Sequence, residues 1–155
     1  MTNTEIWLAA YGRDHTSTSN RALHWICAPF VVVSLIGLLW SVPVPESLSK
    51  SSDVLNWGTL FLMAAVVYYF ILSFSLAVGT LPFIVAVVAT VAWLDRLDTA
   101  LWLISACTLL IASCGQMIGH WLEGGRASLI RDLNYSMIGP LWILAAIYRR
   151  YGIPY

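Results

Sequence analysis

Long apolar stretches alternate with short polar runs along this chain. A helix that crosses a bilayer needs roughly 20 mostly apolar residues, and four stretches reach or approach that length. Ser19 and Asn20 are good helix N-cap residues, so the first helix should begin there. The polar run 43–56, a tight turn at Val78-Gly79-Thr80 and the turn DRLD at 95–98 should separate the stretches. The predicted spanning helices therefore cover 20–42, 57–77, 81–94 and 99–119.

The two ends of the chain are less apolar. Residues 3–15 have the spacing of a short amphipathic helix that would lie at the membrane interface. Residues 137–148 are apolar but short and contain Pro140, so they could form a fifth span, a re-entrant piece or an interfacial helix. The pattern predicts an all-α polytopic bundle of four to five spanning helices plus the short N-terminal helix.

Composition supports a single membrane domain over 1–155. Hydrophobic residues make up 59% of the chain and charged residues 10%, and the mean hydropathy is +0.78. A soluble domain of this size could not bury so much apolar surface. The net charge is zero and no basic tract is present, which argues against nucleic-acid binding.

The three histidines should share one face of the membrane. His15 and His24 lie at the start of the first span, and His120 lies at the end of the fourth. Four crossings return the chain to its starting side. Arg13, Arg21, Arg126 and Arg131 would lie on that side too, and an excess of arginine favours the cytoplasmic face.

The residues around the histidines resemble those of a metal site. Gln116, His120 and Glu123 follow i, i+4, i+7 spacing and share one helix face. The polar TSTSN break at 16–20 can fold His15 back toward His24.

Three imidazoles suit zinc, iron, copper or nickel, and a carboxylate such as Glu123 favours non-haem iron. Ligating imidazoles usually donate their second N–H to a nearby acceptor, for which Tyr11, Asn20 and Gln116 are candidates. Two interpretations stay open beside this one: hydrogen-bonded structural histidines, and haem held by two axial histidines.

The same residues carry a resemblance to a known family. Six positions at fixed spacing form its first motif: Tyr11, His15, Ser19, Asn20, His24 and Pro29. They resemble the N-terminal signature of the fungal 2-hydroxy fatty acid dioxygenases, small membrane proteins of the endoplasmic reticulum that have bacterial relatives. QMIGH at 116–120 resembles the second signature of that family. The similarity continues through Arg126, Leu129 and Asp132 to Gly139-Pro140-Leu141, although Glu123 follows the motif histidine by three residues where the family usually has four.

The resemblance implies an Fe(II)-dependent α-oxidation. A 2-hydroxy fatty acid and O2 would give the fatty acid one carbon shorter. His15, His24 and His120 would hold the iron, with Glu123 as a further ligand. Tyr11, Asn20, Gln116 and Asp132 would support the ligands, and Arg21 or Arg126 would pair with the substrate carboxylate. The membrane would be a bacterial inner membrane or the endoplasmic reticulum, with the site toward the cytoplasm.

Other classes of protein fit the residues alone. One is a non-catalytic membrane scaffold or lipid-binding protein with structural histidines. Another is a small transporter, but spans two and three carry no charge at mid-membrane.

Overall fold

The structure is a computed structural model that describes residues 18–46, 50, 52, 54–122 and 139–154. Five helices make up the regular structure of these described residues, so the all-α prediction is confirmed. They are α1 (Thr18–Trp40), α2 (Trp57–Leu72), α3 (Phe74–Leu94), α4 (Leu101–Leu122) and α5 (Gly139–Tyr151). The interfacial helix predicted at 3–15 lies outside the described residues.

Within the part of the chain that the structure describes, three helices are long and apolar enough to cross a membrane: Asn20–Trp40, Phe74–Leu94 and Leu101–Gly119. The helix Trp57–Leu72 is apolar but shorter. Large apolar side chains such as Ile71 and Ile111 are 77% and 74% exposed on the outside of the bundle. The outer surface of the bundle is therefore suited to contact with lipid in a bilayer.

Helices α1 and α4 pack antiparallel along their whole length. Gly37 lies against Ser105 at one end of the pair, and Gly119 lies against Asn20 at the other. Between them, a Cβ added to Gly115 would lie 2.6 Å from Cys27 Sγ. Small residues bring two membrane helices close together, so these contacts form one continuous close-packed seam.

The bundle has two ends. We call the end that holds Asn20 and His24 the histidine end, and the end that holds Trp40, Asn56 and Asp95 the loop end. Helix α2 begins at the loop end, where the Asn56 side chain accepts from the Thr59 backbone N–H at 3.1 Å. A core cluster of Ile36, Leu62, Val87, Val91 and Leu101 joins α1 to α4 there.

The predicted turn at 78–80 is wrong, and so is the predicted end of the second helix at residue 77. The break is at Ser73, whose backbone is extended with φ −164°. Its N–H donates to Tyr69 O, and its side chain accepts from Leu76 N at 3.4 Å, so one residue caps both helices. Val78, Gly79 and Thr80 lie inside α3.

The last helix does not cross the bundle. Pro140, at its start, lines the same cavity as Phe83, partway along α3. At its other end, the Tyr148 hydroxyl donates to Ser75 O at 3.3 Å, close to the start of α3. Because α3 begins at the histidine end, α5 runs from partway along α3 back toward that end, and its described residues do not form a complete fifth span.

Helix α5 packs closely against α3 at Gly79, where there is no room for a side chain. A Cβ at Gly79 would lie 2.8 Å from Leu144 Cδ2 and would also meet the Tyr148 hydroxyl. We expect Gly79→Leu to lower the free energy of unfolding by about 1–3 kcal/mol, because overpacking forces the helices apart. Denaturation in mixed detergent micelles measures this. Ala86→Leu, on the exposed face of the same helix, is the control and should change little; equal stability of the two variants would contradict the packing role.

Candidate functional site

Among the described residues, three of the buried polar side chains lie on α1 and α4 at the histidine end of the bundle. Asn20 is 1% exposed, His24 3% and Gln116 7%. Burial of polar groups away from water costs free energy unless they are satisfied. Polar and ionisable residues at membrane depth are therefore candidates for function.

Helical spacing and the glycine seam bring these residues together. Asn20 and His24 are one turn apart on α1, and Gln116 and Gly119 are one turn apart on α4. Gly119 packs on Asn20 and Gly115 on Cys27. In this antiparallel register His24 lies at the level of Gln116.

The backbone of His120 is at the same end. It follows Gly119 directly in the last turns of α4. Because Gly119 packs on Asn20, the prediction that His24 and His120 lie at the same end of the bundle is confirmed for their helix positions. Gly115 and Gly119 form a G-x-x-x-G pair, a spacing of small residues that lets two membrane helices approach closely.

Several predicted site residues lie outside the described residues: Tyr11, His15, Glu123, Arg126 and Asp132. The structure describes the helix position of His120 but not its side chain. Among the residues whose placement is described, no group of three or more His, Cys, Asp or Glu side chains could hold a metal ion. The ligand set of the predicted iron site thus stays a prediction.

His24 is the member of that ligand set whose side chain is described. The Nδ1 atom of His24 is buried and no described residue hydrogen-bonds to it, while other interactions hold the residue. Imidazole nitrogen is a suitable ligand for iron and similar metals. The amide oxygens of Asn20 and Gln116 belong to the class of acceptors that orient ligating imidazoles.

Positive charge collects at the histidine end. Arg21 lies exposed in the first turns of α1. Arg149 and Arg150 lie exposed in the last turn of α5, next to Tyr148 and hence near the start of α3. The sequence alone did not predict on which side of the membrane these two arginines lie, because the last apolar segment could either cross the membrane or not.

A comparison with protein families covers nearly the whole chain. The family described as 2-hydroxy-palmitic acid dioxygenase Mpo1-like matches residues 1–151. No curated protein and no solved structure matches the chain. The match includes both motifs quoted above and all five described helices, and the chain therefore belongs to the Mpo1-like 2-hydroxy-palmitic acid dioxygenase family.

Proposed function

We propose that this protein is an Fe(II)-dependent dioxygenase that converts a 2-hydroxy fatty acid and O2 to the fatty acid one carbon shorter. The observation that carries the proposal is the buried polar group Asn20, His24 and Gln116 beside the end of α4 that holds His120. The family match adds the substrate class.

His15, His24 and His120 would hold the iron, with Glu123 as a further ligand. Bound iron supplies the centre at which O2 is activated. The chain's own contribution is to hold the imidazoles in a dry environment and to fix their tautomers. Asn20 and Gln116, which are buried at this end, would do this as hydrogen-bond acceptors, and Tyr11 and Asp132 are proposed for the same role.

The substrate carboxylate would pair with Arg21 or Arg126, since guanidinium groups bind carboxylates through paired hydrogen bonds. Arg21 is the described one of the two and is exposed at the histidine end. It can therefore meet a carboxylate that arrives along the membrane surface.

The atoms of the reaction balance without a further reductant. The bond between C1 and C2 breaks, C2 becomes the new carboxyl carbon, and C1 leaves as carbon dioxide. O2 accepts the four electrons released, so one hydroxy acid and one O2 give one shortened acid, one carbon dioxide and one water. One O2 should be consumed per fatty acid formed.

We further propose that the histidine end faces the cytoplasm of a bacterial cell or the cytosolic side of the endoplasmic reticulum. Arg21, Arg149 and Arg150 lie at that end, whereas Lys50 and Arg96 lie at the loop end. Cytoplasmic ends of membrane proteins carry the excess of lysine and arginine.

The test is metal content followed by turnover. The protein, purified anaerobically in a mild detergent and loaded with Fe(II), should bind iron and convert 2-hydroxypalmitate to pentadecanoic acid, with O2 uptake equal to product. The same preparation supplied with palmitate is the control and should consume no O2. Failure to retain any transition metal after loading would overturn the proposal and favour a non-catalytic lipid-binding protein.

A further inference from the structure

An apolar cavity of about 230 Å³ lies between α1, α3 and α5. Its wall is almost entirely hydrocarbon. The lining residues include Trp25, Ala28, Thr80, Phe83, Ile143 and Leu144. The polar member, Thr80, donates its hydroxyl to Ala77 O at 2.7 Å within its own helix. A wall of this composition favours an apolar ligand.

The cavity begins beside the candidate site. Trp25 follows His24 in the chain, and Ala28 lies one turn further along α1. At the other end of the cavity, Pro140 and Phe83 mark a depth well inside the bundle. The lining therefore extends from the turn of α1 that follows His24 to the part of α3 and α5 that holds Phe83 and Pro140.

We propose that this cavity binds the acyl chain of the 2-hydroxy acid substrate, with its carboxyl group at the histidine end. The inference rests on the proposed function for the identity of the head group. Arginines 21, 149 and 150 give that end the charge that a carboxylate needs. The apolar wall gives the tail the environment that it prefers.

The volume of the cavity determines how much of the substrate's acyl chain the protein can enclose. At about 30 Å³ for a water-sized group, 230 Å³ holds about eight methylene groups. The cavity is partly open on the outside of the bundle, so the rest of a longer chain would extend into the bilayer. Selectivity should therefore depend on the first half of a long acyl chain.

Photo-crosslinking tests the location directly. A 2-hydroxy acid with a diazirine in mid-chain should label α3 between Gly79 and Phe83 and α5 between Pro140 and Ile147, as mapped by mass spectrometry of the intact purified protein. Excess 2-hydroxypalmitate should remove the label. Label that is removed equally by a phospholipid would mean an ordinary bilayer lipid occupies the cavity and would overturn the assignment.

Two substitutions should shift chain-length preference in opposite directions. Ile143→Phe narrows the cavity and should lower the turnover of long relative to short 2-hydroxy acids by about tenfold, the lower end of the effect of one methylene group in an apolar pocket. Phe83→Ala enlarges the cavity and should raise the same ratio. Ile71→Phe and Phe74→Ala make the same changes at positions 77% and 72% exposed, and should leave the ratio unchanged.

The two proposals can fail separately. An active protein that is labelled outside the cavity, or whose ratio is the same in both cavity variants and their controls, overturns the acyl-chain assignment alone. A protein labelled in the cavity that forms no pentadecanoic acid overturns the reaction and leaves the binding site in place.

Discussion

His24→Ala should abolish formation of the shortened fatty acid and release the iron. Removal of a residue that merely supports a metal ligand costs roughly 10–100-fold in affinity or activity, and loss of a ligand should cost more. His24 is 3% exposed, so water has little access to take its place. Product yield and iron content, measured on the same preparation, check the two effects together.

Ser34→Ala is the matched control for this variant. Ser34 is also buried on α1, but its hydroxyl donates to Phe30 O at 2.7 Å and Val31 O at 2.9 Å within the helix. Its loss should leave iron content and turnover close to those of the unmodified protein. If His24→Ala folds and keeps both, His24 is a structural residue and the ligand assignment is wrong.

Gly119→Leu should disrupt the fold and the candidate site at once. A side chain at this position meets Asn20, so α4 would have to move away from the start of α1. We expect a loss of at least about 1–3 kcal/mol in the free energy of unfolding, the usual cost of overpacking. Iron retention should fall as well, because the same displacement separates His24 from the end of α4.

Unfolding in mixed micelles and iron content measure the two effects of Gly119→Leu. Gly119→Ala should give an intermediate loss because only the Cβ is added. Cys114→Leu adds a large side chain to the exposed side of α4 and is the control. Equal stability of Gly119→Leu and Cys114→Leu would show that the seam is not close-packed at Asn20.

The boundaries of the first helix and of the turn at 95–98 were predictable because polar residues and caps bracket an apolar stretch. Helix α1 runs over Thr18–Trp40 where 20–42 was predicted. The predicted turn at Gly79 was wrong because a glycine can either break a helix or allow a neighbouring helix to pack closely. In water it most often breaks helices, whereas in a membrane bundle it also lets a neighbour approach, here Leu144 and Tyr148 of α5.

The faces of the helices were harder to predict because apolar residues surround them almost completely. In a bilayer the outside is as apolar as the inside, so hydrophobic periodicity carries little information. The usable signal was the spacing of small and polar residues, with Gly115 and Gly119 facing the helix that carries Asn20 and His24. The placement of His24 and His120 at one end followed from the number of crossings. The cavity depends on how three helices cross, which local sequence does not encode.

The brevity of α2 has a consequence for the surrounding bilayer. Its 16 residues span about 24 Å, against the roughly 30 Å of a hydrocarbon core. Its antiparallel neighbour α3 has 21 residues and can cover the full thickness. The lipid beside α2 must thin or the bundle must tilt, at a cost of fractions of a kcal/mol for each ångström of mismatch. Hydrophobic mismatch of this kind favours thin bilayers over thick, sterol-rich ones.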